Sequence, residues 1–186
     1  MDTADEIVDV VDEDDRVVAT ATRREVRGRQ LLHRSTYVLL RNASGEILVH
    51  RRTDTKDVFP GAHDVFSGGV CAAGESYGEC ARREVGEEFG VVGAALRFLF
   101  WHRYRGPGGQ AWGAVYEGRW DGPVRGQESE VAWHAWVAPD QLDRMLEERT
   151  FCPDSREIFE RLRSENPGLP TTPPIDGRSP PDRRQS

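Results

Sequence analysis

Gly69-Val-Cys-Ala-Ala-Gly-Glu75-Ser76-Tyr-Gly-Glu79-Cys-Ala-Arg-Arg83-Glu84-Val85-Gly-Glu87-Glu88-Phe-Gly90-Val91 is the stretch from which the rest of this chain is read. A glycine-rich strand end runs into a short loop and then a helix. Ser76 and Glu79 have the Ser-x-x-Glu spacing of a capping box, which satisfies free backbone donors at a helix start. Gly90 stands where a left-handed residue ends a helix. The spacing predicts a helix over Tyr77–Phe89, roughly 20 Å long at 1.5 Å per residue.

Glu84, Glu87 and Glu88 follow i, i+3, i+4 spacing and share one face of that helix. Like charges so placed repel by a few tenths of a kcal/mol per pair. Arg83 offsets part of this through Glu87 at i+4 but cannot neutralise all three. Taken alone, three such glutamates more often mark a solvated acidic face. A hard divalent cation is the other solution, since Mg²⁺ takes oxygen ligands, keeps several waters and bridges carboxylates to phosphates.

The whole pattern shifts that balance. Gly69, Glu75, Arg83, Glu84, Glu87, Glu88 and Gly90 fit Gly-x5-Glu-x7-Arg-Glu-apolar-x-Glu-Glu-x-Gly-apolar, with Val85 and Val91 in the apolar slots. At typical usage the chance of that match is on the order of 10⁻⁸ per start position. The stretch resembles the complete Nudix box. The resemblance implies an α/β/α sandwich with a mixed β-sheet between helices. It implies hydrolysis of a diphosphate linkage and a Mg²⁺ cofactor, with Mn²⁺ as an alternative. Glu84, Glu87, Glu88 and the Gly69 carbonyl become expected metal ligands. Arg83 is expected to orient the glutamates, and Glu75 to brace or assist the site.

Composition sets the outer bounds. A length of 186 residues suits one domain. The net charge of −7, from 25 basic and 32 acidic residues, argues against nonspecific duplex nucleic acid or an anionic membrane as partner. It leaves room for a small phosphorylated substrate, because a bound metal supplies local positive charge. Cys71, Cys80 and Cys152 lack metal-type pairing and read as reduced thiols of a cytoplasmic protein. The acidic Met1–Asp15 has no apolar core of a secretory signal, and no apolar run approaches the roughly 20 residues of a spanning helix.

Around the box, strands are expected at Glu6–Asp12, Arg16–Thr20, Leu31–Leu40, Ile47–Arg52, Ala94–Tyr104, Gln110–Trp120 and Val131–Val137. Thr22–Gly28 reads as a basic loop or short helix. Ile47–Arg52 is expected to return on Leu31–Leu40 as a hairpin. Pro139–Glu148 and Pro153–Ser164 read as helices, the second with Ile158, Phe159 and Leu162 on one face. Pro167–Ser186 holds six of the eleven prolines and reads as a disordered tail. The expected organisation is a domain over 1–165, N-terminal β extension included, and a tail over 166–186.

Further site candidates lie outside the box. A carboxylate from the loop before the late strand, Glu130 ahead of Glu128, could complete the metal sphere or act as base on water; an exposed loop charge is an equal reading. Arg51, Arg52 and Lys56 could reach a substrate phosphate, or be ordinary strand-end charges. Trp101 and Trp112 read as core or sheet-face residues more than as base-stacking platforms. The five histidines read as structural or surface groups, His33 standing apart.

Glu6–Val11, Leu32-His33, Gly45–Arg52, Phe59-Pro60-Gly61 and Val70-Cys71 also resemble isopentenyl-diphosphate isomerase over roughly residues 6 to 75. That family shares the fold and an N-terminal extension, with a metal-binding His at the position of His33 and a catalytic Cys near that of Cys71. Three departures weigh against its chemistry here. Ala72-Ala73 follow Cys71 where the isomerase has Gly-His-Pro. Gly109 and Ala111 stand where it has a Glu-x-Glu pair. The hydrolase box is intact. The expected protein is a hydrolase with an isomerase-like N-terminal region. An isomerase and a nucleotide-sensing module without turnover are its rivals. The substrate moiety depends on loops 53–62, 106–110 and 122–129, which do not disclose it. Pairing as a homodimer is left open.

Overall fold

The structure, a computed structural model, describes residues 3–165. The expected tail over 166–186 lies outside the described residues. After a short 3-10 turn at Thr3–Asp5 come β1 (Ile7–Val11), β2 (Val17–Thr22), α1 (Arg23–Arg29), β3 (His33–Arg41), β4 (Ile47–Arg52) and β5 (His63–Asp64). Then follow α2 (Tyr77–Phe89), β6 (Leu96–Gly106), β7 (Gly109–Arg119), β8 (Val131–Val137), α3 (Pro139–Glu148) and α4 (Pro153–Glu165).

The centre is β3, whose run Tyr37-Val38-Leu39-Leu40 is apolar on both faces because both faces are covered. Side chains alternate across a strand. Tyr37 and Leu39 join Ile47, Val49 and Val115 under α3 and α4, which contribute Leu142, Ile158, Phe159 and Leu162. Val38 and Leu40 join Leu48, Ala114 and Tyr116 under α2, which contributes Cys80, Ala81, Val85 and Phe89. A mixed sheet therefore lies between helical layers, as the box implied. Leu39 is 0% and Leu40 1% exposed; burial of each such side chain is worth about 1.5–3 kcal/mol.

β3 and β4 are antiparallel neighbours joined by the expected turn, but their register is the single pair Arg41↔Ile47. β3 runs parallel to β7 along nine pairs, from His33↔Ala111 to Arg41↔Arg119. β4 instead pairs antiparallel with β8 over Ile47↔Val137 to Arg52↔Val131. β3 and β4 thus stay antiparallel neighbours next to the turn, and along most of their length each has its main partner on its other edge. β6 and β7 do form the expected hairpin, closed at Gly106↔Gly109 around Pro107 and Gly108, whose φ is +87°.

The N-terminal segment adds a small third cluster of Val8, Val10 and Val26. The ambiguous stretch after Thr22 is helical. Thr22 caps α1 through the Glu25 amide, Glu25 answers on the Thr22 amide, and Gln30 closes the end at φ +53°.

Candidate active site

α2 begins and ends where the sequence put it. The Ser76 hydroxyl accepts from the Glu79 amide, the Glu79 carboxylate accepts from the Ser76 amide at 3.0 Å, and Gly90 closes the helix at φ +67°. The face carrying Glu84 and Glu88 turns inward, leaving them 8% and 4% exposed. Glu87 stays largely in solvent, its side chain 56% exposed.

The strand end before α2 fits around these carboxylates. A Cβ on Gly68 would lie 2.0 Å from the Thr36 carbonyl oxygen, and one on Gly69 would lie 2.6 Å from Glu84 Oε1. Glycine at Gly69 thus makes the room in which the Glu84 carboxylate sits. The Gly69 carbonyl accepts from the Thr36 amide at 2.9 Å, tying the loop to β3. Ser67 Oγ donates to Glu88 Oε2 at 2.6 Å, and the Gly68 amide approaches the same oxygen at 3.3 Å.

Arg83 is the hub of the box. Its Nε and Nη2 donate to the two oxygens of Glu75, each at 2.8 Å, a fork-on-carboxylate pair. Its Nη1 donates to Glu84 at 2.8 Å and Glu87 at 3.1 Å. Glu75 also accepts from the Ala72 amide. Against the effect of burial, Arg83 and that amide hold the Glu75 carboxyl below its ordinary range. Glu75 does not line the cavity; it meets Arg83, which does.

A cavity of about 660 Å³ opens on this face and takes in Gly69, Arg83, Glu84, Glu87, Glu88 and Glu130. Glu130 reaches it because the preceding loop is docked on the end of α2. The Gln127 amide donates to the Glu88 carbonyl and the Arg125 amide to that of Phe89. Lys56 Nζ meets Glu130 Oε2 at 3.0 Å. Arg52 lines the cavity and donates from Nε to the Val58 carbonyl. Arg51, the neighbouring residue on β4, points the other way as strand alternation requires. It is spent on Asp54 and does not line the cavity. Glu128 is exposed and is also outside the lining.

The carboxylates fit a hard cation. Burial pushes the Glu84 carboxyl up, with Arg83 pulling against it. Burial, then the charge of Glu84, pushes Glu88 well above the ordinary carboxylate range. Two buried acids that resist ionising are relieved by a positive ion, and their donors are the oxygens Mg²⁺ prefers. Among the described residues no three carboxylate, imidazole or thiolate groups gather tightly enough to enclose an ion by themselves. Mg²⁺ does not require that, since one or two carboxylates plus substrate phosphates and water complete its shell.

Other expectations separate cleanly. His33 lines the cavity with Nδ1 3.1 Å from the Leu31 carbonyl. Cys71 is 2% exposed, its thiol raised by burial, and is absent from the lining. Trp101 packs on Tyr77 at 4.9 Å, and Trp112 Nε1 donates to the Asp12 carbonyl at 3.2 Å; neither reaches the cavity as a stacking platform.

Sequence reading missed two groups on the cavity wall. Asp64 and Asp154 come together there. Asp64 accepts from Ser155 and the Phe66 amide, while Tyr37 donates to Asp154 Oδ2 at 3.1 Å. Asp154 Oδ1 has no hydrogen-bond partner among the described residues. Burial, with Asp64 adding to it, pushes the Asp154 carboxyl up to about 6. Their sequence separation hid them. Arg23 and Arg27 of α1 also line the cavity, and their i, i+4 spacing was the available signal.

Comparison with known proteins gives a consistent answer. A family model described as the NUDIX domain matches residues 31–162. An uncharacterised Nudix hydrolase of Streptomyces coelicolor is 47% identical over 166 residues, covering 88% of this chain and 92% of that protein. The uncharacterised Nudix hydrolase YfcD of Escherichia coli is 39% identical over 150 residues, covering 81% of this chain and 82% of that one. The crystal structure of DR0079 from Deinococcus radiodurans superposes with a TM-score of 0.73 at 29% identity, covering 84% and 98% of the two chains. No helix among the described residues is long and apolar enough to cross a membrane.

Proposed function

The chain belongs to the Nudix family, hydrolases of diphosphate bonds, and from that premise we propose a Mg²⁺-dependent cleavage of a nucleoside-diphosphate-type or related small substrate. The observation that carries the reading is the buried Glu84–Glu88 pair, lodged against Gly69 and braced by Arg83.

In this reading Glu84, Glu88 and the Gly69 carbonyl hold the metal, with Glu87 from the exposed side. A bound Mg²⁺ supplies neutralisation of the diphosphate oxygens and a water of lowered pKa. Arg83 keeps Glu84 aimed inward, and Glu75 fixes Arg83. Glu130 takes the proton of the attacking water on a carboxylate oxygen, and Lys56 holds that carboxylate in place. Arg52, rather than Arg51, faces the substrate phosphate, because only Arg52 lines the cavity. We further infer that residues 1–165 act as one unit, since β1 and α1 contribute to the same cluster against β3.

The N-terminal likeness to isopentenyl-diphosphate isomerase belongs to this reading as an extension on a hydrolase. What supports hydrolysis over isomerisation is the placement of Cys71 away from the cavity. Gly109 and Ala111 bring no carboxylate to its wall.

The test is phosphate or nucleotide release over a panel of nucleoside triphosphates, dinucleotides, nucleotide sugars and isopentenyl diphosphate, with and without Mg²⁺. Mg²⁺-dependent release from one class is the expected result. Tight nucleotide binding without any release would replace the hydrolase with a sensor.

A further inference from the structure

One wall of the cavity comes from residues that precede the matched domain. The family model begins at residue 31, whereas α1 spans Arg23–Arg29. Arg23 and Arg27 nevertheless line the cavity, one helical turn apart. They share that lining with Glu84, Glu87 and Glu88 of α2. Burial chiefly, with the charges of Arg23 and Arg27 adding to it, holds the His33 ring below its ordinary pKa.

Neither arginine is saturated by its acid. Arg23 Nη1 meets Glu6 at 2.9 Å, but its Nε is buried with no hydrogen-bond partner among the described residues. Arg27 Nη1 meets Asp57, whose side chain is 66% exposed on the loop after β4. A guanidinium has five donors in a fork that suits phosphate, and an exposed ion pair is a weak competitor for it. In that reading the scissile diphosphate already has partners in the metal and Arg52, while Lys56 is held by Glu130. A second cationic pair, built by a segment outside the family domain, calls for a further anion.

We propose that α1 forms an anion subsite in which Arg23 and Arg27 hold a phosphate beyond the scissile diphosphate, so that the substrate carries a third phosphoryl group. The subsite deepens the hydrolase reading and rests on it. It makes the N-terminal segment a determinant of substrate class: molecules with a triphosphate chain are preferred over otherwise identical diphosphates.

The test compares calorimetric binding of the methylene-bridged, non-hydrolysable analogues of inorganic diphosphate and triphosphate, in Mg²⁺, to the full chain. Native protein is expected to bind the triphosphate analogue at least about tenfold more tightly. Arg23→Gln with Arg27→Gln should reduce that preference to within about threefold, and the Arg→Lys pair should restore much of it. Asp57→Asn, which frees Arg27, should increase the preference. Equal binding by native protein, an unchanged preference in the double Gln variant, or a weakened one in Asp57→Asn would each overturn the subsite. Thermal melting of each variant separates lost contacts from lost folding. A retained triphosphate preference with no Mg²⁺-dependent release from any nucleotide would uphold the subsite while removing the hydrolase reading.

Discussion

α1 and α2 are built alike and charged oppositely. Each starts on a hydroxyl cap answered by a glutamate at N3, Thr22 with Glu25 and Ser76 with Glu79. Each ends on a left-handed residue, Gln30 or Gly90. Each presents two like charges at i, i+4 to the same cavity, Arg23 and Arg27 from one and Glu84 and Glu88 from the other. They differ in how firmly they are held. α2 is 13 residues long and buries Tyr77, Cys80, Ala81, Val85 and Phe89, while the 7 residues of α1 bury only Val26. Carboxylates can therefore be buried on α2, because the apolar face of that helix is anchored well enough to bear their desolvation. The arginines of α1 are part-buried, and each shares a carboxylate, Glu6 or Asp57.

The largest effect is expected from Glu88→Gln. It removes a charged oxygen from the carboxylates proposed to hold the metal while keeping shape and the Ser67 contact. Turnover should fall by 10² or more, with the melting temperature unchanged or raised because a buried acid is neutralised. Near-native turnover would mean that the pair on α2 is no more than a structural counterpart of the pair on α1.

Gly69→Ala sharpens the role of the cradle. The new Cβ lands 2.6 Å from Glu84 Oε1, so the carboxylate must move. The Mg²⁺ concentration for half-maximal rate should rise about 10–100-fold, as for other changes that misorient a ligand. An unchanged Mg²⁺ titration would separate Glu84 from metal binding.

Asp154 tests whether the missed acid pair is a cost like that of Glu84 and Glu88. Burial raises its folded pKa to about 6 from 3.8. A raised carboxyl adds stability at pH values below the unfolded pKa, and that contribution is lost as pH rises through the folded one. Between about pH 4 and pH 7, Asp154→Asn should thus gain ~1–3 kcal/mol relative to native protein in urea melts. A constant difference across that window would show Asp154 ionising normally.

The smallest effects concern the caps. Ser76→Ala and Thr22→Ala should each cost about 1 kcal/mol. The first should appear in the global melt, because α2 is part of the core. The second should appear as faster amide exchange confined to α1. Equal global losses would show that α1 is as integral as α2.

Much of this molecule was legible locally. α2 and its caps came from Ser76, Glu79 and Gly90, and the box carboxylates from their spacing. Strand β8 and helix α3 fell at Val131–Val137 and Pro139–Glu148 as read. What was not legible shares one cause. Arg51 and Arg52 are adjacent in sequence, yet only the cover of β4 decides which of them faces the cavity. The expected β3–β4 hairpin is present only as the antiparallel pair Arg41↔Ile47, and the long ladders β3–β7 and β4–β8 join strands far apart in sequence, which no local pattern announces. Asp64 and Asp154 meet only when α4 packs beside β5, and no local pattern links them.

Local sequence was enough for the family, the mixed sheet between helices, and the oxygen-rich helix face, since caps, strand alternation and i, i+4 spacing act within a few residues. Tertiary structure alone decided which of those charges are buried, which side of each strand meets the cavity, and that α1 lends it two arginines. Burial and desolvation depend on what packs above a residue, and chain-distant elements supply that cover.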